Sequence, residues 1–261
     1  MASQENYHER LNSQSQDEII RALVDLDFHF EHVPDKTKIQ DDLHKLIDSD
    51  NEEIKRKIIN IFKYRSLFIV DKETEWSDLL KLTKSESKDV KEDAIEAIGD
   101  VIPYVERIDG KWDNFYQLIL DIDTRDSAFR ALRKLRPDFK QLLEIPNIWN
   151  NLWEIMHKSA SEKDKNLRFS VSELIGLLFR YIPDKEQAWK DLLKLSRDAD
   201  SFVRQMAPQA LGWSYKDLPI ELKKAALDDI FQLIQMKDWE TRWAATIAVG
   251  DVFQIKLKLM I

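Results

Sequence analysis

Apolar residues recur along this chain at steps of four, seven and eight from a start that is itself aliphatic or β-branched. The starts are Ile54, Val90, Thr124, Leu167, Val203 and Thr241. Position plus four reads Ile58, Ala94, Ala128, Val171, Ala207 and Ala245. Plus seven reads Ile61, Ala97, Ala131, Leu174, Ala210 and Ala248, and plus eight reads Phe62, Ile98, Leu132, Ile175, Leu211 and Val249. These steps draw the apolar stripe of one helix face. Alanine at two of the positions leaves little room, so a neighbouring helix must come close. Plus nine is glycine in four copies, Gly99, Gly176, Gly212 and Gly250, and Lys63 or Arg133 in two others. A mid-helix glycine costs about 1 kcal/mol relative to alanine, so its recurrence points to a packing reason.

A second pattern precedes each of these helices. It reads Trp-x-[Asp/Asn]-[Leu/Phe]-x-x-[Leu/Ile], starting at Trp76, Trp112, Trp149 and Trp189, with weaker copies at Gln40 and Leu227. Its apolar positions share one helical face, which assigns these four tryptophans to core packing. Its acidic residue is expected early in the helix, near the positive end of the dipole. The unit is therefore helix, short turn, helix. Successive starts lie 36, 34, 43, 36 and 38 residues apart. The chain is all-α, an α-solenoid forming a right-handed α-α superhelix of about six helical hairpins. The repeats lie near 36–66, 75–105, 111–137, 147–183, 186–217 and 220–257. Residues 1–16 read as a disordered polar tail and 17–261 as one continuous solenoid domain. A capping helix runs from about Asp17 to Phe30, with Ile20, Val24 and Phe28 on its packed face. The longest step places a mobile loop at 157–166, and Pro137 and Pro146 bracket an extra helical turn over 139–144.

The repeats resemble HEAT repeats, of the short kind also found in phycobilisome-lyase-type HEAT-like proteins, over residues 36 to 257. The resemblance implies a chain of polar contacts between an Asp in the inter-helix turn and a basic residue opening the second helix. The matching positions are Asp89 with Lys91, Asp123 with Arg125, Asp164 with Arg168, Asp200 with Arg204 and Asp238 with Arg242, with Asp50 and Lys55 looser. Such folds usually bind rather than transform, and fold does not specify function. Tetrapyrrole attachment rests on the resemblance alone, and no residue speaks for it.

Charge and composition narrow the chemistry. The chain has 40 basic and 48 acidic residues, a net charge of −8, opposite to the basic footprint of a nucleic-acid binder. The basic residues at plus one are the candidates for a local basic stripe, but pairing with the turn aspartates accounts for them. There are no cysteines, so thiol chemistry is excluded and a cytoplasmic setting is expected. No apolar run is long enough to span a membrane. His29 and His32 are spaced as metal ligands sometimes are, without a carboxylate to complete a set. The only His-Glu dipeptide is His8-Glu9, so the iron-holding pairs of HEAT-repeat hydroxylases are not matched. No phosphate loop or nucleophile elbow exists. No enzyme activity, cofactor or metal is expected. The alternative is a HEAT-type nucleic-acid binder or DNA glycosylase-like enzyme, using Trp213, Trp239 and Trp243 near Asp238 and Asp251.

The expected function is a protein- or peptide-binding scaffold. In a HEAT stack the second helices line the concave side, with positions plus two, plus six and plus ten facing a partner. In the first half these are mostly charged. In the second half they include Phe169, Leu177, Trp213, Trp243 and Ile247, the aromatic and aliphatic types that anchor partners. The chain ends Ile255-Lys256-Leu257-Lys258-Leu259-Met260-Ile261 without a polar cap. That predicts further repeats beyond it or an end-to-end homodimer.

Overall fold

The computed structural model describes residues 4–104, 110–134, 145 and 147–259, with side chains between 7 and 253. Among them every regular element is helical. The chain divides into two compact units, residues 1–135 and 136–261, where the sequence reading expects one domain over 17–261. The first unit pairs α1 (Gln4–Leu11) with α2 (Gln16–His29), α3 (Lys36–Leu46) with α4 (Glu52–Arg65), α5 (Lys72–Leu82) with α6 (Lys88–Val101), and α7 (Lys111–Leu120) with α8 (Arg125–Leu132). The second pairs α9 (Ile148–Ser159) with α10 (Lys165–Leu178), α11 (Lys185–Leu195) with α12 (Ser201–Ser214), and α13 (Lys223–Ile234) with α14 (Trp239–Leu259). Within each unit the second helices stack on one another in sequence order. The apolar positions at plus four, seven and eight are buried in nearly every copy.

The glycines show how close that stacking is. A Cβ on Gly99 would lie 2.5 Å from the carbonyl oxygen of Ala131, on Gly176 2.8 Å from the Ala210 Cβ, and on Gly212 2.8 Å from the Ala248 Cα. Each of these three glycines at plus nine thus meets the plus-seven alanine of the next second helix. A Cβ on Gly250 would meet nothing within 4 Å. Arg133, one of the two replacements, is exposed.

Side chains cap the helix ends, whose free N–H and C=O groups need partners. Asp35, Asn51, Asp71, Asp164, Asp184 and Asp200 each accept backbone N–H groups at the helix start they precede. At the opposite ends the caps are cations, which suit the negative pole of the dipole. Arg125 donates to the Ile119 and Leu120 carbonyls at the end of α7, and Arg168, Arg204 and Arg242 donate to the carbonyls five and six residues upstream in their own inter-helix turns. Lys36, Lys72, Lys185 and Lys223 donate to carbonyls of the turn entering the next hairpin.

Several expectations change. The tail over 1–16 contains α1, whose Tyr7 and Leu11 are buried, so α1 and α2 make a full hairpin in place of a lone cap. In α2 the buried residues are Ile19, Ala22, Leu23 and Leu26, because the repeat register starts at Glu18. Ile20 and Val24 are therefore only half-buried and Phe28 is exposed. Half of the expected mobile loop over 157–166 is helix: α9 runs to Ser159 and α10 starts at Lys165, leaving a turn as short as those after α3, α5 and α11. The expected extra turn over 139–144 lies outside the described residues.

Candidate partner-binding face

The first helices carry a polar ladder that the repeat template does not reveal. The imidazole Nδ1 of His8 donates to Asp42 at 2.6 Å, that of His44 to Asp78 at 2.7 Å, and that of His157 to Asp191 at 2.6 Å. Each pair joins consecutive first helices. Trp189 Nε1 donates to Asp229 at 3.0 Å in the same manner. These aspartates are the acidic positions of the tryptophan motif. They sit in the middle of their helices and not at the dipole's positive end, and Asp42, Asp78 and Asp191 are buried. Burial raises the Asp78 pKa, opposed by His44. The histidines escape alignment because His44 and His157 keep their distance from the helix C-terminus, not from the tryptophan. The motif tryptophans Trp76, Trp112 and Trp189 are buried. Trp149 is half-buried and stacks on Tyr181 with ring centroids 4.5 Å apart.

The Asp–basic contacts of the second helices exist, with different partners. Arg168 grips Asp198 of the following repeat through two bonds, Nε at 2.7 Å and Nη2 at 2.8 Å. Burial works against charge on Asp198, but Arg168 and the Asp200 N–H hold its pKa low. Arg204 reaches Asp238 at 3.3 Å, and Asp200 accepts from Lys165 at 3.3 Å. Asp164 caps its own helix through the Asn166 N–H. In the first unit Asp89 lies 3.7 Å from Arg56, not on Lys91. Asp123 donates its N–H to Asp121, while Arg125 donates to the Ile119 carbonyl at the end of α7.

At positions plus two, plus six and plus ten of the second helices, the two units differ in kind. In the first unit ion pairs fill much of the face. Arg56 binds Asp93 at 2.8 Å, Arg130 binds Glu96 at 2.9 Å with Glu92 and Asp126 beside it, and Lys134 binds Asp100 at 2.6 Å. In the second unit seven of the nine equivalent positions are apolar or amide-bearing, the exceptions being Glu173 and Asp251. Phe169, Leu177, Trp213 and Ile247 are half-buried, and Trp243 is 45% exposed. Trp239 is 59% exposed and stacks on Trp243 at 5.7 Å with planes 22° apart. Trp213 does two things: its ring lies where a Cβ on Gly176 would meet it at 3.0 Å, so it also covers the preceding repeat. The pairing of Trp239 with Trp243 was legible only as a four-residue helical spacing. Asp251, at plus ten of the last repeat, has its pKa raised by burial.

Among the described residues no cluster of three or more His, Asp or Glu side chains is placed to hold a metal ion. His29 Nδ1 lies 2.8 Å from the Asp25 carbonyl and His32 pairs with Glu31, so the two rings are separately engaged. A depression of about 530 Å³ on α4 is lined by Glu52, Glu53, Arg56, Lys57 and Asn60, open and polar. Among the described residues no helix is long and apolar enough to cross a membrane.

No protein-family model and no curated protein sequence matches the chain. Solved structures do. An engineered protein aligns over 95% of this chain and 68% of its own, with 20% identity and a TM-score of 0.60. The karyopherin Kap121p bound to the SUMO protease Ulp1p aligns over 95% of this chain at 16% identity and a TM-score of 0.61. The same karyopherin bound to the extreme C-terminus of the protein phosphatase Cdc14p gives 0.62. The chain spans only 28–29% of the karyopherin's length. The chain thus has a HEAT-like helical-repeat fold, as its repeats predict.

Proposed function

We propose that this chain is a non-enzymatic scaffold that binds a protein or peptide segment along the second helices of its second unit. The carrying observation is the difference between the units at equivalent positions. Where α6 and α8 of the first unit have ion pairs closed on themselves, the second unit presents Phe169, Leu177, Trp213, Trp243 and Ile247. Stacked tryptophans open to solvent are large, rigid anchors of the type that dominates binding energy. The four arginines at plus one are engaged with backbone carbonyls, and Arg168 and Arg204 also with aspartates, which speaks against a nucleic-acid surface built from them. The fold neighbours include a karyopherin bound to other proteins, in keeping with a binding scaffold.

The test is affinity capture from cell lysate with the wild-type chain beside Trp243→Ala and Ile247→Ser variants. Trp243 is the informative position, since replacing Trp213 would also uncover Gly176. A protein retained by the wild type and lost by both variants, with unchanged melting, supports the site. Retention by both variants refutes it. Salt-sensitive retention on DNA or RNA would favour the nucleic-acid alternative.

A further inference from the structure

The corrected register of α2 uncovers a second apolar surface, in the first unit. Counted from Glu18, Ile20, Val24 and Phe28 occupy plus two, plus six and plus ten, the same partner-facing positions as the anchors of the second unit. Ile20 and Val24 are half-buried, and Phe28 is 72% exposed. Tyr64 holds plus ten on α4 and is 61% exposed. The two helices are joined beside these residues, where the adjacent Asp27 and Arg65 form an ion pair at 2.9 Å. Successive members of the stripe are four residues apart, about 6 Å along the helix. Side chains on one face of an extended segment recur every ~6.6 Å, so such a segment matches the stripe.

Charge indicates what kind of segment. Residues 1–135 hold 30 acidic and 21 basic side chains, whereas 136–261 hold 18 and 19. The net negative charge belongs to the first unit. The position before each repeat start is acidic on all four second helices of that unit, Asp17, Glu53, Asp89 and Asp123, and all four are exposed. Asp17 and Glu53 flank the N-terminal end of the stripe. A row of this sign favours cationic partners and raises their rate of encounter.

We propose that the α2–α4 face of the first unit docks a cationic, apolar segment of a partner protein, apolar side chains on Ile20, Val24, Phe28 and Tyr64, lysine or arginine toward Asp17 and Glu53. This surface is separate from that of the second unit. A short fluorescent peptide of alternating Leu and Lys is the probe, titrated against the full chain, with Leu–Glu and Ser–Lys peptides as comparators. The Leu–Lys peptide is expected to bind, and each comparator to bind at least about ten-fold more weakly, a difference of ~1.4 kcal/mol. A Val24→Ser/Phe28→Ser variant is expected to lose about ten-fold in affinity, and Trp243→Ala to lose none. Tyr64→Ser, at a more solvent-exposed site than Val24, gives the same reading should the double variant fold poorly. Equal binding of the Ser–Lys peptide, undiminished binding by the α2 and Tyr64 variants, or no binding overturns the proposal. Loss on Trp243→Ala alone places the peptide on the second unit, overturning this inference and leaving the function above intact.

Discussion

Gly99 and Gly250 occupy the same repeat position and make opposite demands. A Cβ on Gly99 would run into the Ala131 backbone at 2.5 Å, and nothing there is a flexible side chain that can swing aside. Gly99→Ala is expected to destabilise by roughly 1–3 kcal/mol through overpacking. Gly250→Ala meets open space and is expected to stabilise by up to about 1 kcal/mol through helix propensity. Chemical denaturation of both variants checks this, and equal effects would show that the stacking is looser than described. Glu75 makes a second residue-scale demand. It is 0% exposed, accepts from Ser66 and lies 3.4 Å from Lys72, and its Oε1 has no hydrogen-bond partner among the described residues. Burial pushes its pKa from 4.5 to about 7, with Lys72 opposing. The folded chain therefore holds a proton that the unfolded chain has already lost between those values. Stability from this group falls as pH rises from about 4.5 to 7, by at most ~3 kcal/mol. Glu75→Gln is expected to flatten that dependence and to stabilise above pH 7. A melting curve series whose slope is unchanged in the variant would contradict it.

Among the elements, the first helices are tied by a ladder whose members look dispensable singly. His44 is largely exposed, and exposed substitutions usually change stability by less than about 0.5 kcal/mol. Asp78, however, is buried, and its Oδ2 has no hydrogen-bond partner among the described residues. His44→Ala should cost about 1–3 kcal/mol at neutral pH by stranding that carboxylate. The loss should shrink in acid as Asp78 takes a proton. Helix α1 extends the same ladder, since His8 and Asn12 beside it both reach Asp42. Removing residues 1–12 should lower stability by about 3 kcal/mol or more, from lost burial of Tyr7 and Leu11 together with these bonds. A truncated chain as stable as the intact one would restore the disordered tail. The apolar periodicity and glycine spacing of the second helices were legible because close packing demands small side chains at fixed places. The α1–α2 hairpin was not, because α1 is largely polar and α2 has Ile19 where the template wants a basic residue. The ladder stayed hidden for a geometric reason: histidine reaches its aspartate from a place set by the helix end.

For the molecule as a whole, one repeat carries two different surfaces. Positions that close into ion pairs on α6 and α8, and at Arg56 on α4, are filled by Phe169, Leu177, Trp213, Trp243 and Ile247 on α10, α12 and α14. Sequence showed that contrast, because each residue type could be read at a known repeat position. It did not show that Trp213 also covers Gly176, or that Trp239 stacks on Trp243, since both depend on where rings settle between helices. The most direct test of the binding face is selection of a random-peptide phage library on the immobilised full chain, followed by titration of the enriched peptides against Trp243→Ala and Ile247→Ser. The account predicts enriched peptides whose affinity drops by about ten-fold or more on each variant, as expected of central anchors. Peptides that bind both variants as well as the wild type, or a selection that enriches none, would contradict it.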